Sequence, residues 1–191
     1  MVEGSAAAVR EAAAMRTRKG AIADNAQLDL LLVVPGEISP VARKTSRSFR
    51  IANDCAVAFT GTQRGMTEQQ MLAFRRLLFL FEWNEFHHGD CIGADREAHD
   101  VAEERDMVVV IHPPSIVTKR AWRFAVETRE PKPYIERNHD MVDECWYLIA
   151  TPGEPEEQLR SGTWATVRYA RTVGRCIWLA LPDGSVIGPQ P

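Results

Sequence analysis

A series of short apolar runs, each the length of one β-strand, constrains this chain more than any other feature. CAVAFT (Cys55–Thr60), MVVVI (Met107–Ile111), CWYLIA (Cys145–Ala150) and CIWLAL (Cys176–Leu181) are almost uninterrupted by polar residues, and Glu85–His87 makes a shorter run of the same kind. A strand exposed on one face alternates apolar with polar residues; a strand covered on both faces does not need to. Helical periods fall between the runs. Thr67-Glu68-Gln69-Gln70 has the form of a capping box, and Met71, Phe74, Leu77, Leu78 and Phe81 follow at helical spacing. Ala94, Ala98, Val101 and Ala102 mark a second helix, ending near Arg105. Tyr134–Glu144 is a third, with Ile135, Met141 and Val142 available for a buried side, and a fourth runs from Ser161-Gly162-Thr163 to Val173, before Gly174. Residues 115–132 are compatible with a short helix at Ala121–Thr128. Strands alternating with helices predict an α/β fold, a Rossmann-like doubly wound, mostly parallel sheet of about five or more strands with helices on both faces.

Length and composition agree with one domain carrying an appendage. Of 191 residues, 45% are hydrophobic and 26% charged, as in soluble globular chains. Residues 1–50 are read as an arm, partly helical or flexible, residues 51–183 as the folded domain and 184–191 as a tail. The arm carries net charge +3 and the remainder −6, for a total of −3. An acidic body does not favour a nucleic-acid backbone, so nucleic acid is not the expected partner. The longest apolar run near the N-terminus, Leu30–Val34, is too short for a membrane span or a signal-peptide core. Four cysteines without CxxC spacing read as reduced core residues. A cytoplasmic location and no membrane partner are the expectation.

The carboxyl ends of the strands carry the chemistry. His88–Asp95 reads HGDCIGAD and joins a strand to a helix; its glycines, Gly89 and Gly93, permit a tight turn and close backbone approach, and the helix start favours an anion. Gly61 ends the first strand and Gly162 opens the last helix. In doubly wound sheets ligands sit at this edge. Convergence of these turns there predicts a small-molecule pocket.

The same turns resemble those of the Rossmann-like SLOG superfamily, in the branch of the YspA-like nucleotide-binding proteins, with the LOG-type phosphoribohydrolases and DprA as kin. The resemblance spans about Ala56–Leu181. It rests on a GSR-like turn (Gly61-Thr62-Gln63-Arg64), an HGG-x-x-GAD-like turn (His88–Asp95), a strand ending in His112-Pro113, an RNxxM segment (Arg137, Asn138, Met141) and the turn Ser161-Gly162-Thr163. It implies a nucleotide or nucleotide-derived ligand, no cofactor and no required metal. It also implies a homo-oligomer. Three positions depart from the pattern. Gln63 stands at the GSR arginine, with Arg64 next to it. Asp90 replaces the second glycine of HGG, and Thr166 stands where LOG enzymes carry the glutamate of PGGxGTxxE. Threonine has no carboxylate for glycosidic-bond chemistry.

Residue roles follow with their alternatives. Thr62, Ser161 and Thr163 either cap helices or bind phosphate or ribose oxygens, since the same atoms suit both. Arg137 suits a phosphate or pairs with Glu136 or Asp140. Asn138 bonds ligand or a neighbouring turn. Asp95 accepts from ribose hydroxyls or complements its helix dipole, and Trp164 stacks on a base or packs in the core. His87 and His88 read better as structural histidines than as acid or base. His112 and His139 lack a Cys or His at ligand spacing, so no metal is assigned. Two function classes remain open: a nucleotide-binding or sensing module, and an enzyme acting at an N-glycosidic bond. The enzyme needs a carboxylate, from Asp90, Asp95 or a loop glutamate (Glu154, Glu156, Glu157), with Arg137 as a further catalytic candidate. A DprA-like single-strand DNA binder is a lesser alternative.

Overall fold

The computed structural model describes residues 53–190. Expectations for residues 1–50 lie outside the described residues. The chain runs β1 (Asn53–Gly61), α1 (Glu68–Leu80), β2 (Glu85–His88), α2 (Ala94–Glu104), β3 (Val108–Ile111), β4 (Glu127–Thr128), α3 (Tyr134–Glu144), β5 (Cys145–Thr151), α4 (Gly162–Thr172), β6 (Cys176–Ala180) and β7 (Val186–Gln190). These strands form one sheet in the order β4-β3-β2-β1-β5-β6-β7. Every pairing is parallel except that of β6 with β7. This is a Rossmann-like α/β fold.

The uninterrupted apolar runs are explained by the two faces of the sheet. Val57, Phe59, Phe86, Val109, Ile111 and Ile149 pack beneath α1 and α2, against Phe74, Leu78, Ala98 and Val101. The residues between them, Ala56, Ala58, Leu148, Ala150, Ile177 and Leu179, pack beneath α3 and α4, against Met141, Val142, Trp164 and Val167. Successive side chains of a strand point to opposite faces, and here both faces are covered.

The predicted capping box is present. Thr67 Oγ1 accepts from Gln70 N at 3.0 Å, and Gln70 Oε1 accepts from Thr67 N at 3.3 Å. The Gln70 amide is buried and also donates to the carbonyls of Pro152 and Ala180, each at 2.8 Å. The start of α1 is thereby pinned to the segments that leave β5 and β6.

Three expectations differ from the structure. The stretch read as a tail forms β7, which covers the edge of β6. Its register brings Ile187 opposite Leu179, an edge pairing that eight residues with two prolines and two glycines do not advertise. Ala121–Thr128 is not a helix; after a short 3-10 turn at Val117–Lys119 the chain is irregular until it contributes β4. Ile135 is half exposed, because the face of α3 that turns inward at its start carries Arg137 and Asn138. Among the described residues no helix is long and apolar enough to cross a membrane.

Candidate ligand-binding cleft

β1 and β5 are neighbours although three strands intervene in sequence, so the order reverses between them. At such a switch point the connections leave in opposite directions and open a crevice beyond the carboxyl ends of the strands. A cavity of about 280 Å³ lies there. One wall is the β1 turn from Thr60 to Arg64. The opposite rim is Gly153 and Glu154 beyond β5, with Arg160, Ser161, Gly162 and Thr163 where α4 begins. The floor is made by Cys91 and Asp95 with the inner face of α3, from Tyr134, Arg137 and Asn138.

Arg137 is the centre of the floor. It is 4% exposed, yet among the described residues it makes no ion pair within contact distance. Its Nη2 donates to Cys91 Sγ at 3.1 Å, a weak acceptor, and its Nε has no partner. The guanidinium carbon lies 4.8 Å from the centre of the Tyr134 ring. Gly89 explains how it fits: a Cβ at that position would overlap the guanidinium. Gly89 therefore serves the site by making room for Arg137, and does not line the cavity itself.

The neighbouring groups are neutral or thinly solvated. Burial, with the Asp95 charge beside it, pushes the Cys91 thiol up to about 11. Burial likewise pushes the Tyr134 phenol up to about 12, and its hydroxyl lies 3.1 Å from Cys91 Sγ and accepts from Gln63 Nε2 at 2.7 Å. Neither is an ionised nucleophile at neutral pH. The Asp95 carboxyl is raised by burial, against the opposing pull of Arg137, while its Oδ2 accepts from Cys91 N at 3.1 Å.

The HGDCIGAD turn does not form the expected anion cradle. Its N–H groups are used internally: Asp90 N donates to His88 Nδ1 at 3.0 Å, Ile92 N to Lys119 O at 3.0 Å and Ala94 N to Thr62 O at 3.0 Å. Gly93, at φ +92°, lies directly against the backbone of Gln63, so its glycine locks two turns together and does not line the cavity. Asp90 is corrected as a catalytic candidate. Its fully buried carboxylate accepts from Arg120 Nε at 2.7 Å and Arg123 N at 3.0 Å, which anchors the 115–123 segment and leaves the carboxylate outside the cavity lining.

The start of α4 is the open helix terminus. Ser161 is its N-cap: Oγ accepts from Trp164 N at 3.3 Å, and its carbonyl accepts from Ala165 N. The first N–H groups of a helix have no intrahelical acceptor, which leaves those of Gly162 and Thr163 at the cavity wall. A Cβ on Gly162 would meet nothing within 4 Å. Trp164 is corrected as a base-stacking residue, since it is 3% exposed and packs between α4 and the sheet. Thr166 is also buried. It accepts from Asn138 Nδ2 at 2.7 Å and donates to the Gly162 carbonyl at 3.0 Å, tying α3 to α4.

Of the sequence-predicted residues, the structure gathers Gly61, Thr62, Gln63, Arg64, Asp95, Arg137, Asn138, Ser161, Gly162 and Thr163 around one cavity. Arg64 donates to Glu154 Oε1 at 2.5 Å across the rim. Glu157 turns away to Arg168 and Arg171. Cys91, Tyr134, Gly153 and Arg160 were not anticipated. Tyr134 carried a signal, standing three residues before Arg137 and so on the same helical face.

No family model matches this chain, and no curated protein matches it. Among solved structures it is similar to DNA processing protein A (DprA) from Streptococcus pneumoniae, at 16% identity and a TM-score of 0.47. The match covers 65% of this chain and 49% of that one, so the chain spans about half of that protein's length. At this level of likeness neither ligand nor reaction transfers. The chain is a Rossmann-like α/β protein with a polar cleft at the switch point of its sheet.

Proposed function

We propose that the cleft binds a nucleotide or nucleotide-derived ligand and that the protein is a binding or sensing module of the SLOG type. The observation that carries this reading is Arg137: a buried guanidinium in the floor of a cavity, held by a thiol and an aromatic face and not by a carboxylate. Taking a cation out of water is strongly unfavourable unless an anion or several acceptors meet it. A phosphate supplies both, and the N–H groups of Gly162 and Thr163 with the α4 dipole add to its attraction. Arg160 at the rim adds positive charge, while Arg64 is paired with Glu154, and the Asp95 carboxyl would accept from a ribose hydroxyl.

Asp95 also supports the second reading. It is a carboxyl in the cleft wall, and burial shifts it upward in the way acid–base groups are tuned. An enzyme acting at an N-glycosidic bond would use it, or Glu154 at the rim, since Thr166 and Asp90 do not offer a carboxylate to the cavity.

The test is thermal shift and native mass spectrometry against AMP, ADP, ATP, NAD, ADP-ribose, cyclic dinucleotides and deoxynucleosides, with incubation to detect released base. Intact ligand bound one per chain, and lost in R137M and in G162W, is the expected result. R137M removes a thinly partnered buried charge and is expected to fold. Gly162 faces open space, so G162W blocks the cavity without disturbing the core. Base release that D95N abolishes would replace the sensor by the enzyme. No shift with any member of the panel would overturn the nucleotide reading.

A further inference from the structure

Beneath α3, apart from the cleft, lies a second polar group. His87 lies in β2 between Phe86 and His88. Phe86 belongs to the core under α1 and α2, and His88 bonds to His99 of α2. By the two-residue period His87 turns to the opposite face, toward α3. His112 follows Ile111, another residue of the α1–α2 side, and turns the same way. Glu144 is the last residue of α3. Both imidazoles are almost fully buried, and the Glu144 carboxylate is 13% exposed.

One potential ligating atom from each of the three groups lies within 3.9 Å of the other two. His87 Nδ1 lies 3.0 Å from His112 Nε2, and Glu144 Oε2 lies 3.8 Å from the first and 3.9 Å from the second. A point equidistant from three atoms so separated is about 2.1 Å from each, which is the length of a zinc–nitrogen or zinc–oxygen bond. We infer that His87, His112 and Glu144 form a binding site for one divalent transition-metal ion of the zinc class.

The surroundings are those of a metal site. His87 Nε2 lies 2.5 Å from Glu85 Oε1. A carboxylate there requires the proton on Nε2 and leaves the Nδ1 lone pair facing inward; such outer partners fix the tautomer of ligating histidines. Without a metal, His112 must turn its own Nε2 proton onto that lone pair. With one, His112 takes the other tautomer and both rings turn from facing each other to face the ion. Arg129 donates to Glu144 Oε2 through Nη2 at 2.7 Å and Nε at 3.1 Å, which holds the carboxylate in place. The Arg129 charge is shared with Glu127. Two imidazoles and one carboxylate favour zinc, cobalt, nickel or copper over magnesium or calcium, which prefer oxygen. Three protein ligands leave a fourth position for water. Sequence spacing did not reveal the set, because its members stand on β2, after β3 and at the end of α3.

The experiment uses the full chain stripped with EDTA, titrated with Zn²⁺ and with Co²⁺. Metal retained after gel filtration is counted by elemental mass spectrometry, and Co²⁺ coordination is read from its visible absorption. The expected result is one Zn²⁺ per chain, Co²⁺ bands of a four-coordinate nitrogen–oxygen site, and at least a tenfold loss of affinity in both H112Q and E144Q. E85Q keeps the three ligands and should bind about tenfold more weakly with the Co²⁺ bands in place. E144Q changes no fully buried group, so it decides the matter if H112Q fails to fold. A wild-type chain that retains no stoichiometric metal overturns the proposal, as does undiminished affinity in E144Q.

Discussion

A guanidinium that is 4% exposed normally sits in the grip of a carboxylate; Arg137 has a thiol and the face of a phenol instead. The space it occupies exists because residue 89 has no side chain. G89A forces a methyl group into the guanidinium and should destabilise the protein by about 2 kcal/mol, as overpacking does. In an R137A background the same methyl meets empty space, and the penalty should fall by at least half. Urea denaturation of the two single variants and the double variant measures that coupling. Additive effects would mean that Gly89 is needed for its own backbone and not for Arg137. The pairing was invisible in the sequence, where residues 89 and 137 belonged to separate motifs and each was read as touching ligand. The sequence leaves Trp164 open between base and core, and offers Asp90 as a carboxylate, for a related reason. A residue next to a functional turn alternates between facing the cleft and facing the core, and only the packed helix decides which.

Among the elements, α1 is where sequence and structure agree most closely. Its capping box was legible because capping is a contact between residues three apart. The second use of Gln70 was not legible, since Pro152 and Ala180 are distant in the chain. One amide serves two buried carbonyls and also closes the box. Q70A should therefore cost more than an ordinary cap, about 2–4 kcal/mol, because it leaves two buried acceptors unpaired. Thermal and urea unfolding of Q70A check this value. A loss under 1 kcal/mol would mean that water replaces the amide at both carbonyls. β4 and β7 mark the opposite case. Both are edge strands, one of them two residues long, and edge strands have weak sequence signals because one side pairs with nothing.

At the scale of the whole molecule, buried histidines set the response to acid. Burial holds His88 well below the usual imidazole range and lowers His99, where Glu103 opposes it. Burial, helped by His87, lowers His112 to about 2. In the unfolded chain each binds a proton near pH 6.5, so below that value the unfolded state holds more protons than the folded one. Stability contributed by neutral burial is present above pH 6.5 and is lost as the pH falls. Each histidine adds up to about 1.4 kcal/mol per pH unit in that window. Asp95, raised by burial, runs the other way: its stabilising proton is lost as the pH rises through its folded value. The urea midpoint of EDTA-treated protein should fall between pH 7 and pH 5, before ordinary carboxylates titrate. A flat midpoint across that interval would contradict neutral, buried imidazoles.

The sequence by itself determined the sheet, its parallel sense and the two covers of helices. Those follow from apolar runs such as CAVAFT and CIWLAL, whose pattern is a local consequence of being buried on both faces. It also determined that the turns after β1 and before α4 would meet, because strand order in a doubly wound sheet brings carboxyl ends to one edge. Tertiary structure alone decided which atoms of those turns face the cavity. It placed Arg137 in the space left by Gly89, turned Trp164 into the core, tied Asp90 to Arg120, and gathered His87, His112 and Glu144 beneath α3. Side-chain direction at a packed interface depends on what fills the other side, and that information lies dozens of residues away in the chain.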